Sequence, residues 1–106
     1  MEIKIIITST DSDKTANDIA KYLVKNNISP CVQIISNIKS IYKWNDQLKK
    51  TDEILLIIKT IPEKVLDCKK IILKYHNYDV PELIATNGEI LNDEYMDWFI
   101  DNCRDM

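Results

Sequence analysis

At 106 residues and 12.4 kDa the chain has the length of one domain, because separate cores need more chain than this, so residues 1–106 are read as a single domain and a two-domain enzyme is excluded. With 45% hydrophobic and 29% charged residues, the composition is that of a globular protein, neither disordered nor collagenous nor membrane-spanning. The net charge of -3, from 17 acidic and 14 basic residues, removes the cationic field that phosphate backbones require, so nucleic acid is not an expected partner; no apolar run approaches the roughly 20 residues that span a bilayer, so neither is a membrane.

Ile3 to Thr8 is a short β-branched run with Ile3, Ile5 and Ile7 on one face and Ile6 on the other, which predicts a buried strand. The polar cluster from Ser9 to Asp13 then supplies an N-cap, and Ala16, Ile19, Ala20, Leu23 and Val24 form the stripe of an amphipathic helix that stops at Asn26-Asn27. From Cys31 to Trp44 the even positions read Val32, Ile34, Ser36, Ile38, Ser40, Tyr42 and Trp44, a long alternation that marks a strand with room for a bulge. A tight turn at Asn45-Asp46 and the apolar run Ile54 to Ile58 complete a hairpin with Gln47 to Thr60.

Pro62 suits a first helical turn, and Val65, Cys68, Ile72 and Tyr75 continue at helical spacing. His76 to Pro81 reads as a loop, because the residue before a proline disfavours helix; Glu82 to Thr86 reads as a short strand. Asn92-Asp93-Glu94 opens a last helix carrying Tyr95, Trp98 and Phe99.

The order β-α-β-β-α-β plus a C-terminal helix is an α+β, ferredoxin-like arrangement, with both main helices on one face of an antiparallel sheet. Two features imply that the second face is covered. Ile6, Ile35, Ile41 and the Ile54 to Ile58 run supply apolar groups to both faces. The extended run from Cys31 to Trp44 spans about 46 Å at about 3.3 Å per residue, against a diameter near ~34 Å for a domain of this size. The long hairpin should overhang its own domain and add to a neighbouring subunit in a closed homo-oligomer.

The chemical inventory is thin. The single Gly88 rules out the glycine-rich phosphate loops. Cys31, Cys68 and Cys103, an odd number without a CxxC pair, indicate reduced thiols. Cys68 reads as helix core, and Cys103 lies near an end expected to fray. The start Met1-Glu2-Ile3-Lys4 lacks a signal peptide's apolar region, so a cytoplasmic location is expected. One His and one Arg leave few ways to build an acid-base pair; no catalytic residue is assigned.

Three uses of the remaining polar groups stay open. Cys31 with His76 is a weak candidate for nucleophilic catalysis. Cys31, His76 and Glu82 have the donor chemistry of a copper or zinc site, if the strand starts converge, against satisfied loop contacts and a small buried thiol. Tyr42, Trp44, Tyr78 and Trp98 with Lys59 have the chemistry of a cleft between subunits, against a role as interface anchors.

Four ordered segments carry a family resemblance: Cys31-Val32-Gln33-Ile34, Ser40-Ile41-Tyr42-Lys43-Trp44, Leu55 to Thr60, and His76-Asn77-Tyr78-Asp79-Val80-Pro81-Glu82-Leu83-Ile84. Together with Asp93 to Trp98 they resemble the successive signatures of the CutA family, the divalent-cation tolerance proteins. The resemblance implies a homotrimer of ferredoxin-like subunits, related in architecture to the PII signalling proteins and associated with tolerance of copper and other divalent ions. It implies no catalytic reaction and no organic cofactor. Carried over by position, Cys31, His76 and Glu82 are the expected metal contacts, while Tyr42, Trp44, Lys59, Tyr78 and Glu82 match the family's inter-subunit cleft. The alternative is a signalling or scaffold trimer binding a small molecule or partner protein in that cleft. Gln33, Asn45-Asp46 and Asn77 depart from the family pattern, and Asn77 in place of proline is expected to loosen the loop holding His76.

Overall fold

A computed structural model describes residues 1–104. Four strands form one antiparallel sheet in the order β2-β3-β1-β4. They are β1 (Glu2–Thr10), β2 (Cys31–Trp44), β3 (Gln47–Thr60) and β4 (Ile84–Glu89), with helices α1 (Asp13–Lys25), α2 (Val65–Tyr75) and α3 (Asp93–Asp101). Chain order is therefore the one expected from the hydrophobic periodicity.

Helix α1 starts where Ser12, in extended conformation, accepts a hydrogen bond from the Thr15 N–H at 3.1 Å; this satisfies one of the donors that a helix start leaves unpaired. It ends at Asn26, followed by Asn27 in the left-handed region at φ 56°, a conformation that Asn tolerates better than most residues. Ala16, Ile19 and Leu23 are buried, whereas Val24 faces solvent. Pro62 opens a 3-10 turn, Pro62–Lys64, that runs directly into α2.

Both long helices lie on one face of the sheet. Ile6, Ile54, Leu56 and Ile58 from the strands meet Ala16, Ile19, Leu23, Cys68 and Ile72 in the main core. Ile6 thus belongs to this helix-covered face and not to the second one. A smaller cluster of Ile3, Phe99 and Cys103, with Ile5 and Tyr95 beside it, occupies one end of the opposite face. Helix α3 therefore closes that end, and Cys103 is held in a packed cluster where fraying was expected. On the same face, a Cβ at Gly88 would lie 2.9 Å from Ile5 Cδ1, so any side chain there would require the end of Ile5 to shift.

β4 begins two residues later and ends three residues beyond the expected Glu82 to Thr86. The reason is its partner: β1 offers hydrogen-bonding positions out to Glu2, opposite Glu89, so pairing continues through Gly88. Beyond Thr10, opposite Ile54, β1 stops and the β2-β3 hairpin continues alone. It projects as a ribbon and stretches the molecule to 47 × 25 × 22 Å. At its tip Asn45 and Asp46 both have positive φ, 52° and 61°, the two-residue turn whose twist matches a hairpin.

One irregularity decides what the ribbon presents. Ile35 pairs with Leu55 but Ile38 pairs with Glu53, so β2 carries one extra residue, accommodated by Asn37 at φ 63°. Even-numbered residues before this bulge share a face with Leu56 and Ile58; those after it share a face with Glu53 and Thr51. The unbroken alternation read from the sequence is two alternations of opposite sense. Tyr42 and Trp44 are thereby turned to the face opposite α1 and α2.

Candidate functional site: an acidic, aromatic cleft

The loop 76–83 leaves the end of α2 on the helix-covered face, passes the end of β1 and returns on the other face to start β4. His76 terminates α2, its N–H donating to the Ile72 carbonyl at 2.9 Å. Its Nδ1 accepts the Tyr78 N–H at 3.0 Å, so the ring proton sits on Nε2 and is donated to the Ser9 carbonyl at 2.9 Å. Both ring nitrogens are thus engaged with backbone. Asn77 donates from Nδ2 to Asp11 Oδ1 at 2.7 Å and accepts from the Thr10 hydroxyl. The loosening expected from Asn77 is not what the structure shows, because these bonds tie the loop to the end of β1.

Past this anchor, Tyr78 turns onto the open face and donates its phenolic O–H to Glu53 Oε2 at 2.7 Å. Burial, followed by the hydrogen bond to the Glu53 carboxylate and that carboxylate's charge, pushes the Tyr78 phenol well above the usual tyrosine range. Glu53 itself is only 7% exposed. Ser9, also buried, donates its hydroxyl to Glu82 Oε2 at 3.1 Å. The result is a cleft of about 730 Å³ between ribbon and loop. Its ribbon wall includes Tyr42, Trp44 and Lys49; its loop wall includes Tyr78, Asp79 and Glu82.

Of the residues singled out from the sequence, Tyr42, Trp44, Tyr78 and Glu82 line this cleft. Lys59 does not. It pairs with Ile5 and Cys31 near the α3 end of the sheet, while Ser9 lies four residues further along β1, about 13 Å at the strand repeat. Cys31 is at the Lys59 level for the same reason, so within one chain it does not converge with His76 and Glu82, both of which touch Ser9. Among the described residues no three His, Cys, Asp or Glu side chains gather into a metal-holding group. Trp98 stacks near Tyr95 on α3, ring centroids 5.5 Å apart, and is not among the cleft residues.

Ser9, Lys49, Glu53 and Asp79 are site residues that sequence reasoning did not assign. Ser9 was read as part of the cap cluster of α1. Glu53 carried a faint signal, an acid at the start of an apolar strand run; its partner Tyr78 is 25 residues away, and only the fold joins them.

The two buried thiols belong to packing. Burial pushes Cys68 up from 9.0 to about 12 and Cys103 upward as well, leaving both protonated and unreactive near neutral pH. Cys31 is partly exposed.

The molecule is thus an α+β protein whose polar chemistry gathers in one acidic, aromatic cleft at the root of a projecting hairpin. Residues 4–102 match the model of the CutA1 divalent ion tolerance protein family, and the chain belongs to that family. It is 32% identical over 99 residues to the divalent-cation tolerance protein CutA of Thermus thermophilus, covering 93% of this chain and 96% of that protein. A CutA homolog of Xenopus laevis is 38% identical over 87 residues, which cover 82% of this chain and 58% of that longer protein. Among solved structures, CutA1 of Ehrlichia chaffeensis superposes with a TM-score of 0.89 at 30% identity, over 96% of this chain and 95% of that one. The Thermus thermophilus and Ehrlichia chaffeensis relatives carry divalent ion or cation tolerance in their names. Compartments differ among relatives: one from Archaeoglobus fulgidus is described as periplasmic and one from Arabidopsis thaliana as chloroplastic. Among the described residues no helix is long and apolar enough to cross a membrane.

Proposed function

We propose that this divalent ion tolerance protein acts in the cytoplasm as a homotrimer of ferredoxin-like, PII-like subunits that binds a divalent transition metal, copper foremost, and catalyses no reaction. The carrying observation is the uncovered apolar middle of the sheet. Ile35 is 45% and Ile84 52% exposed, and Ile7, Leu55 and Ile57 lie half-buried between them. A strip of this kind on an antiparallel sheet favours burial against other copies. The projecting ribbon, with Ile41, Trp44 and Leu48 exposed, has free edges that a neighbouring subunit would cover.

Cys31, His76 and Glu82 are the proposed metal contacts. Because they lie apart within one chain, such a site requires Cys31 to come from a different copy than His76 and Glu82. His76 would take part through Nδ1 by giving up the Tyr78 N–H, its Nε2 proton still donated to the Ser9 carbonyl. Protons compete with metal for imidazole and thiolate, so copper binding should weaken as pH falls. Sedimentation should give three times the chain mass; a stable single-chain particle would overturn the trimer. Copper calorimetry on the wild type, Cys31→Ser, His76→Ala and Glu82→Gln tests each contact, and an unchanged isotherm removes that residue from the site.

The 730 Å³ cleft supports a second reading, in which Tyr42, Trp44, Tyr78 and Glu82 hold a small molecule. Lys59 would join them only from a neighbouring copy.

A further inference from the structure

We propose that the outer face of α2 docks an acidic amphipathic helix of a partner protein. This surface lies across the sheet from both the cleft and the apolar strip assigned to other copies, so it stays outward in the proposed trimer and is independent of the metal reading.

The charge of the chain is unevenly divided. Helix α1 and the segment 62–75 together hold seven of the 14 basic residues but only four of the 17 acidic ones. A chain of net charge -3 therefore carries a net positive helix layer. Among the described residues Lys21, Lys25, Lys69, Lys70 and Lys74 enter no ion pair, whereas Lys14 on the same layer is paired with Asp18.

Apolar exposure falls on the same layer. Cys68 and Ile72 are fully buried and fix the inner side of α2. At the helical repeat of about 3.6 residues per turn, Leu66, Lys69, Lys70 and Leu73 share the opposite side. Leu66 is 73% and Leu73 48% exposed, and both lysines between them are exposed. Helix propensity does not call for leucine there, because alanine, glutamate or lysine would serve an exposed turn about as well. The neighbouring α1, joined to α2 at the Tyr22–Tyr75 ring contact, repeats the combination with exposed Val24, Lys21 and Lys25.

The occupant follows from spacing and sign. Leu66 and Leu73 stand seven residues apart, the repeat at which one helix offers its knobs to another. The lysines between them select acidic residues beside the partner's apolar stripe. An anionic membrane is the poorer fit, because an extended surface meets the negative charge of the whole chain. A helix seated on α2 lies within a Debye length, about 8 Å at physiological salt, of the lysines alone.

The test uses the assembled protein and a labelled peptide of three Leu-Ala-Gln-Leu-Glu-Ala-Glu heptads, read by fluorescence anisotropy. Saturable binding that weakens as salt is added is expected. Lys69→Glu combined with Lys70→Glu should weaken it about tenfold, the scale of reversing two exposed charge pairs. Leu66→Ser should weaken it by about as much through lost apolar burial. All three positions are exposed, so far-UV circular dichroism and particle mass should match the wild type. Replacing the peptide's glutamates by lysine should abolish binding. No saturable binding of the acidic peptide, equal binding of the basic one, or indifference to both variants would overturn the proposal. Two further outcomes would also overturn it by assigning the face elsewhere. One is binding to vesicles of equal phosphatidylserine and phosphatidylcholine without binding of the peptide, which assigns it to a membrane. The other is self-association beyond the trimer that the paired lysine substitutions abolish, which assigns it to another copy. A particle smaller than a trimer that still binds the peptide refutes the trimer and leaves this docking surface standing.

Discussion

The two faces of the central sheet are built from the same residue types and have opposite fates. Along β3, Ile54, Leu56 and Ile58 are buried under α1 and α2, while Leu55 and Ile57, alternating with them, are only half-covered. At the α3 end the second face is as well packed as the first, since Phe99 is fully buried there with Ile3 and Cys103. Toward the ribbon it opens, first into an apolar strip and then into the acidic cleft. An apolar residue on a strand therefore reports that something covers it and not what does so. On one face the cover is the chain's own helices; on the middle of the other it is proposed to be another copy.

That contrast can be broken at several points. The largest loss is expected for Phe99→Ala, about 3–5 kcal/mol by urea denaturation; a loss below about 1 kcal/mol would mean that α3 does not close its end of the sheet. Leu56→Ala should lose about 2–5 kcal/mol on the helix-covered face. Its neighbour Ile57→Asp should instead act on assembly, with sedimentation showing a particle of lower mass and far-UV circular dichroism retained. A full-size particle would relocate the interface.

Smaller effects sharpen the same picture. The buried Cys68 thiol holds its proton up to about 12, whereas the unfolded chain releases it near 9.0. Stability should therefore fall as pH rises through that interval, the unfolded state binding fewer protons than the native one. Urea midpoints measured from neutral pH upward should show the decline, and it should be shallower in Cys68→Ala. A thiol reagent at neutral pH should label the partly exposed Cys31 ahead of the buried Cys68 and Cys103; simultaneous labelling would contradict their burial. Ser12→Ala should lower stability by about 1 kcal/mol through loss of the α1 cap, read from the same denaturation curves.

Much of the fold was legible because it depends on local periodicity. The stripe Ala16, Ile19, Leu23 makes α1 whatever it packs against, and the apolar run Ile54 to Ile58 makes a central strand. The Asn45-Asp46 turn and the overhang of the hairpin also follow from residue type and strand length. The Asn37 bulge was legible only as a tolerance in a long alternation, because one added residue leaves the pattern of apolar positions intact while exchanging the faces beneath it. β4 was misplaced because its limits come from β1.

The site divided in the same way. Tyr42, Trp44 and Tyr78 were singled out from their chemistry and from the family resemblance, Glu82 as a cleft residue from the resemblance alone, and all four line the cleft. Cys31 and Lys59 sit at the other level of the sheet, a consequence of strand register that no spacing along the chain encodes. His76 was chosen for its donor nitrogens, and the structure engages both with backbone.

By itself the sequence determined the elements, their order, the apolar character of both sheet faces and the reach of the hairpin, since each depends on near neighbours or on residue counts. Tertiary structure alone decided that β2 reverses its faces at Asn37, that α3 closes one end of the second face, and that Ser9, Glu53, Tyr78 and Glu82 meet at one cleft. Those outcomes depend on register and on contacts between residues far apart in the chain, where a one-residue shift moves a side chain to the opposite side of the sheet.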